Sequence, residues 1–154
     1  MTQKNTIFGV GPQLVAVTAA YFLLALWLGR LAGLPPIAAD PFWPRLAGIL
    51  LLAVAAVLWV LIVRTILWMY NLGRLYRGGF YARCRHPLYA DYILLALPGL
   101  SLLFNSWAAL TTVPVAVIIF RRLIREEEDG LVASFGEEYE QYRREVNALF
   151  PRLR

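Results

Sequence analysis

The chain is poor in the residues that usually build compact catalytic or metal sites. It has one cysteine, Cys84, and one histidine, His86, in 154 residues. A lone thiol cannot close a disulfide within the chain. With a single histidine beside it there is no zinc-type cluster, and no metal is expected. Charge is scarce as well. Only 16% of residues are charged, against about 25% in an average soluble protein, which is too little to cover a water-facing surface. Internal repeats and low-complexity segments are absent. Apolar residues take up the balance: 60% of the chain is hydrophobic and mean hydropathy is +0.59. The net charge of +5 raises nucleic acid as a partner. The arginines flank apolar runs and do not line a groove, so a nucleic-acid partner is not expected.

Four apolar segments stand out, and they predict an all-α integral membrane protein. The first lies between Gly11 and Leu28, within an apolar stretch from Thr6 to Gly29. That stretch exceeds the roughly 7–15 residues of a signal-peptide core, so it reads as a retained membrane helix. The second runs from Leu46 to Val63 without a charge and continues as helix to Tyr70. Each approaches the roughly 20 residues needed to span a hydrocarbon core. Pro35-Pro36 and Pro41 to Pro44 break the chain between them. Trp27 and Trp43 fit an aromatic belt. The third segment, Leu88 to Phe104, and the fourth, Trp107 to Phe120, are separated only by Asn105-Ser106. They form a tight hairpin whose arms are short and contain Pro98 and Pro114. The hairpin either extends into the interface or only dips into the membrane.

Charge sets the orientation. Arg30 and Arg45 lie on one side. Lys4, Arg74, Arg77, Arg83, Arg85, Arg121, Arg122, Arg125, Arg143, Arg144, Arg152 and Arg154 lie on the other. The excess of positive charge places both termini and the 71–87 loop in the cytoplasm, with Arg64 snorkelling to that interface. Beyond the hairpin, Leu131, Phe135, Tyr139, Tyr142, Val146 and Leu149 form an amphipathic stripe. This C-terminal helix either lies on the cytosolic membrane surface or packs back over the helix ends, with Gly136 as a break point.

Polar residues converge at one boundary. Tyr81 to Asp91 enters the hairpin and Arg121 to Asp129 leaves it, and a hairpin brings its two ends together. Such a site suits a zwitterionic, water-soluble cofactor that meets a lipophilic substrate. Arg85 and His86 are suited to a carboxylate or phosphate. Glu127 or Glu128 can accept from an ammonium or from ribose hydroxyls. Tyr81, Tyr89 and Tyr139 can stack on a base or face a sulfonium. Cys84 is a bystander whose cytoplasmic position permits palmitoylation.

Gly79-Phe80-Tyr81 followed by Arg85-His86-Pro87-Leu88-Tyr89 resembles the first motif of the isoprenylcysteine carboxyl methyltransferases, phospholipid N-methyltransferases and related small membrane methyltransferases. Glu127-Glu128, Leu131, Phe135-Gly136, Tyr139, Tyr142 and Val146 resemble the second. The likeness covers roughly residues 79–151, while residues 1–70 match only as two generic spans. It implies a single membrane domain over 1–154 that binds S-adenosylmethionine without a Rossmann sheet. No glycine-rich strand–turn–helix suits a soluble methyltransferase fold. The likeness also implies a cytosol-facing pocket, reached sideways from the bilayer by a lipophilic methyl acceptor.

Carried onto this sequence, Arg85 and His86 contact the methionine portion, Leu88 and Tyr89 wall the pocket, and Glu127 and Glu128 close it. Glu127 is the candidate base for an acceptor that starts protonated, and Arg85 is its catalytic partner. Two positions depart from the family pattern. Asp91 stands where the family has glycine, and would pair with Arg85, touch the cofactor amine or serve as a helix-start charge. Glu145 stands where many members have arginine. Arg144 is a substitute for that arginine. The alternatives are an NADPH-dependent membrane reductase of the sterol-reductase type, and a non-catalytic protein that retains the motif.

Overall fold

A computed structural model describes residues 9–70 and 74–151. Lys4, Arg152, Arg154 and the Thr6 start of the first apolar stretch lie outside the described residues. The elements are α1 (Gly11–Leu31), α2 (Phe42–Tyr70), α3 (Pro87–Leu103), α4 (Trp107–Phe135) and α5 (Glu137–Glu145), with a 3₁₀ turn at Gly79–Ala82 before α3. Among the described residues there is no strand, only an isolated bridge between Pro36 and Ser106. Helices α1, α2 and α4 are long and apolar enough to cross a membrane, and α3 is a shorter apolar helix.

The two outer helices bury little. Helix α1 buries Leu14, Thr18, Phe22, Leu26 and Gly29, a stripe of about one residue per turn. Its other faces expose Val15, Leu23, Leu24 and Trp27. Helix α2 likewise exposes Ile49, Leu50, Val57 and Trp59. Apolar residues on every face belong in lipid, where nothing drives them inward. Both helices pack mainly on the hairpin formed by α3 and α4, and only marginally on each other. Helix α2 approaches α3 closely at Gly48, where a Cβ would sit 2.7 Å from Gly99 O and Leu103 N. Small residues permit such close helix contacts in membranes.

The hairpin turn lies level with the α1–α2 loop. Its turn residue Asn105 has φ 51°, a left-handed conformation that asparagine tolerates. Asn105 O accepts from Ile37 N at 3.2 Å. Its side chain accepts from Ala38 N at 3.1 Å and donates to Ala38 O at 2.8 Å. The hairpin turn is thereby tied to the α1–α2 loop at the end of the molecule away from Arg85 and His86. Pro98 in α3 lacks a backbone N–H and crowds the preceding turn, and a π turn over Tyr92–Ala96 lies just before it.

Two boundaries differ from the sequence reading. The apolar run of α4 stops at Phe120, but the helix continues to Phe135. Its buried stripe runs on unbroken through Thr112, Ala116, Phe120, Ile124 and Glu128, so polarity changes there while packing does not. The C-terminal stripe is not one helix. Gly136 interrupts it at φ 56°, ψ −134°, a region essentially reserved for glycine. Leu131 and Phe135 end α4, Tyr139 and Tyr142 lie on α5, and Val146 follows it. They still share one apolar cluster with Leu75 and Val132, so this segment packs back over the helix ends.

Candidate functional site

The loop before α3 is held by the chain's last described residues. Arg85 N donates to Asn147 O at 2.9 Å and His86 N to Ala148 O at 3.1 Å. The Cys84 thiol points at Ala148 O and Leu149 O, at 3.1 and 3.3 Å. Pro87 then occupies the first helical position of α3, where its missing N–H costs nothing. His86, the residue before that helix, is therefore fixed against α4, which brings Glu127 and Glu128 to the same level.

Glu128 is the hub. Its Oε1 accepts from Arg85 Nε at 3.0 Å and also from Arg85 Nη2. The same oxygen lies 3.2 Å from His86 Nε2. Oε2 faces Arg143 Nε at 3.9 Å. Arg85 Nη1 donates to Arg143 O at 2.9 Å and to Val146 O. Glu127 serves the other side of the imidazole, with His86 Nδ1 at 3.5 Å from its Oε1. Glu127 Oε2 accepts from the Tyr89 hydroxyl at 2.9 Å and from Val10 N at 3.2 Å. Both ring nitrogens thus face carboxylate oxygens, and only the imidazolium donates from both. Burial opposes that charge, but hydrogen bonds and the charges of Glu127 and Glu128 outweigh it and raise the His86 pKa above its ordinary 6.5. Tyr89 stacks on the His86 ring at 5.8 Å, and Phe120 meets its edge at 5.9 Å. Arg85 and His86 thus meet Glu127 and Glu128 in a largely buried cluster, with the more exposed Arg143 at its edge.

A sequence profile of the isoprenylcysteine carboxyl methyltransferase (ICMT) family matches residues 45–133. The chain belongs to that family. It is 40% identical over 73 residues to the protein-S-isoprenylcysteine O-methyltransferase of Schizosaccharomyces pombe, covering 47% of this chain and 31% of that one. It is 39% identical over 74 residues to a methanethiol S-methyltransferase of Crocosphaera subtropica, covering 47% and 27%. It is 36% identical over 76 residues to the cobalt-zinc-cadmium resistance protein CzcN of Cupriavidus metallidurans, covering 49% and 35%. The chain spans about a third of the length of these curated relatives. The solved structure of a eukaryotic intramembrane Ras methyltransferase, ICMT, shares the fold. It has a TM-score of 0.64 at 20% identity, over 90% of this chain and 52% of that one.

Within this ICMT-family fold, the residues singled out from sequence fall into two groups. Arg85, His86, Tyr89, Glu127 and Glu128 form the one network. Tyr81 joins through its carbonyl, which accepts from the Tyr142 hydroxyl at 2.6 Å. Burial, reinforced by the charge of Glu127, pushes the Tyr81 hydroxyl pKa up. The Tyr139 hydroxyl is buried beside Arg85 but makes no hydrogen bond of ordinary geometry among the described residues. Leu88 and Asp91 lie elsewhere. They line a cavity of about 570 Å³ between α1, α2 and α3, together with Leu14, Val15, Ala56 and Trp59. Tyr89 lines that cavity too, so its ring is the wall between the cavity and the charged network.

Three expectations change. Asp91 does not pair with Arg85, whose ion pair is to Glu128. Arg144 is largely exposed, and its ion pair among the described residues is to Glu137, at 3.5 Å. Cys84 is 3% exposed and hydrogen-bonded, with its pKa raised to about 11 chiefly by burial. That environment is wrong for acylation. Sequence reasoning missed Val10, Arg143 and the Val146 carbonyl. The first and last contribute backbone atoms, which carry no residue-type signal. Arg143 was legible only as part of the charged face opposite the tyrosines.

Proposed function

We propose that this chain is an S-adenosylmethionine-dependent methyltransferase, acting at the membrane–cytosol boundary on a lipophilic or small acceptor. One observation carries the reading. A buried cluster of Arg85, His86, Glu127 and Glu128 lies beside an apolar cavity, and Tyr89 touches both, lining the cavity while its ring stacks on His86 and its hydroxyl meets Glu127. The cluster suits a zwitterion. A ligand carboxylate can join Arg85 and His86 and a ligand ammonium can join Glu127 while Glu128 keeps its bonds to Arg85, so the added charges balance. The Tyr139 hydroxyl, beside Arg85 and without a hydrogen bond of ordinary geometry among the described residues, offers one more hydrogen-bonding group for a polar ligand.

Once bound, S-adenosylmethionine would supply a methyl group already activated on sulfur. The chain's own work is then to align and to exclude water. Arg85 and His86 fix the charged end. Tyr81 and Tyr89 present ring faces to a base or a sulfonium, and Leu88 walls the acceptor side. Glu127, held by Tyr89 and Val10, takes a proton from an acceptor that arrives protonated. The gap between α1 and α2 admits the acceptor from the bilayer. Charge asymmetry supports a cytoplasmic placement of both termini and of this site. Residues 1–154 act as one membrane domain in this reading. The relatives include a protein-S-isoprenylcysteine O-methyltransferase and a methanethiol S-methyltransferase, so family membership alone does not choose the acceptor.

Calorimetry with purified protein tests the proposal. S-adenosylhomocysteine is expected to bind wild type, and to bind His86→Ala at least about tenfold more weakly, the equivalent of one lost charge-assisted contact. Binding of NADPH alone overturns the methyltransferase reading in favour of a reductase. Binding of neither overturns it in favour of a non-catalytic role.

A further inference from the structure

Asp91 is 7% exposed, and its Oδ1 is buried without a hydrogen-bond partner among the described residues. It forms no ion pair among them either. The remaining wall of its cavity is apolar or aromatic: Leu14 and Val15 from α1, Leu52, Ala56 and Trp59 from α2, Leu88 from α3. The polar exceptions, the Tyr89 and Tyr92 hydroxyls, turn elsewhere, to Glu127 and to Thr18. A carboxyl group in such surroundings is costly unless an occupant matches it.

We infer that Asp91 is a specificity-determining residue, and that the acceptor held in the α1–α2–α3 cavity is a lipophilic amine whose nitrogen meets the Asp91 carboxyl. This rests on the methyltransferase reading for the word acceptor, while the amine site itself stands on the cavity alone. An amine is favoured because it complements Asp91 in either protonation state. An ammonium faces a carboxylate, and a free amine faces a carboxylic acid, with one proton shared in both cases. An alcohol supplies one donor and no charge. A carboxylate meets like charge. The apolar walls, and the exposed Val15 and Trp59 beside the gap, suit an alkyl or prenyl tail entering from the bilayer.

The test uses full-length protein in lipid nanodiscs, with dodecylamine, dodecanol and dodecanoate as probes and S-adenosylhomocysteine titrated separately. Preference is the ratio of amine to alcohol affinity, compared between wild type and variant so that partitioning into the bilayer cancels. Wild type should prefer the amine about tenfold or more. Asp91→Asn, which keeps the shape, should abolish that preference. Ala56→Leu, which fills the cavity, should weaken amine and alcohol alike. Equal amine and alcohol affinity in wild type overturns the inference. So does a preference that survives Asp91→Asn, or amine and alcohol affinities that Ala56→Leu leaves unchanged. Loss of S-adenosylhomocysteine binding in Asp91→Asn with the amine preference intact would assign Asp91 to the cofactor and also overturn it. Failure of wild type to bind S-adenosylhomocysteine tells against methyl transfer only, because the amine preference is read independently.

Discussion

Replacing Glu128 with glutamine should be the most damaging single isosteric change in this molecule. Glu128 is 8% exposed, and its carboxylate neutralises Arg85 and one side of His86. Glu128→Gln keeps the shape and one acceptor oxygen but removes the charge, so two buried cations are left with Glu127 alone. Removing one partner of a buried ion pair costs about 3–5 kcal/mol. The retained amide oxygen still accepts a hydrogen bond that contributes about 1 kcal/mol. The net loss is therefore roughly 2–4 kcal/mol, which for a chain of this size lowers the Tm by roughly 10 °C.

Thermal unfolding in detergent, at about pH 6 where histidine is charged, reads this directly. His86 is the chain's single histidine, so its imidazole resonances report the local effect without assignment ambiguity. With one of its two carboxylates gone, the opposing effect of burial gains and the His86 pKa should fall. Arg85→Met combined with Glu128→Gln should recover much of the stability, because the uncompensated cation is gone. An unchanged Tm together with an unchanged His86 titration would falsify the placement of Glu128 at the centre of the charge network.

Three further outcomes are expected. The folded His86 pKa lies above its ordinary 6.5, so its stabilising contribution is fully present below about 6.5 and is lost as pH rises through the raised folded value. A pH series of Tm values should therefore decline on the alkaline side for wild type and be flatter there for His86→Gln. At Gly136 a Cβ would meet nothing within 4 Å, so Gly136→Ala isolates the backbone cost of its φ, ψ at about 1–3 kcal/mol; a Tm equal to wild type contradicts the break between α4 and α5. Cys84, buried and with its pKa raised to about 11, should react with iodoacetamide only after unfolding, and rapid labelling of the native protein would place the thiol outside the loop–tail contact.

The readability of this chain follows from where its signals are carried. Side-chain chemistry was legible. Arg85-His86-Pro87 and Glu127-Glu128 pointed to one another because Asn105-Ser106 marks a hairpin, and hairpin ends meet. Helix phase was legible too, yet it was masked at Arg121. Loss of hydropathy looks like the end of a helix, whereas the four-residue spacing from Thr112 to Glu128 carries α4 through it. Backbone contacts were not legible at all. Nothing in residues 85–86 or 147–148 announces that their main chains pair. Nothing in Val10 shows that its N–H lies under Glu127. One of the three readings of Asp91, as a partner for Arg85, fails because Glu128 and the Arg143 and Val146 carbonyls already occupy that guanidinium.

The π turn in α3 has a consequence for how this helix tolerates change in length. A single π turn is equivalent to one extra residue threaded into an α-helix, which rotates everything before it by about 100° relative to everything after it. His86, Tyr89 and Asp91 precede the turn at Tyr92–Ala96, and Leu97 and Ser101 follow it. Deleting one residue between 92 and 96 would therefore regularise the helix and leave its lower half seated against α2. The same deletion would swing Tyr89 off Glu127 and Asp91 out of its cavity. The irregularity is the register mark that sets the charged end of the hairpin against its apolar end.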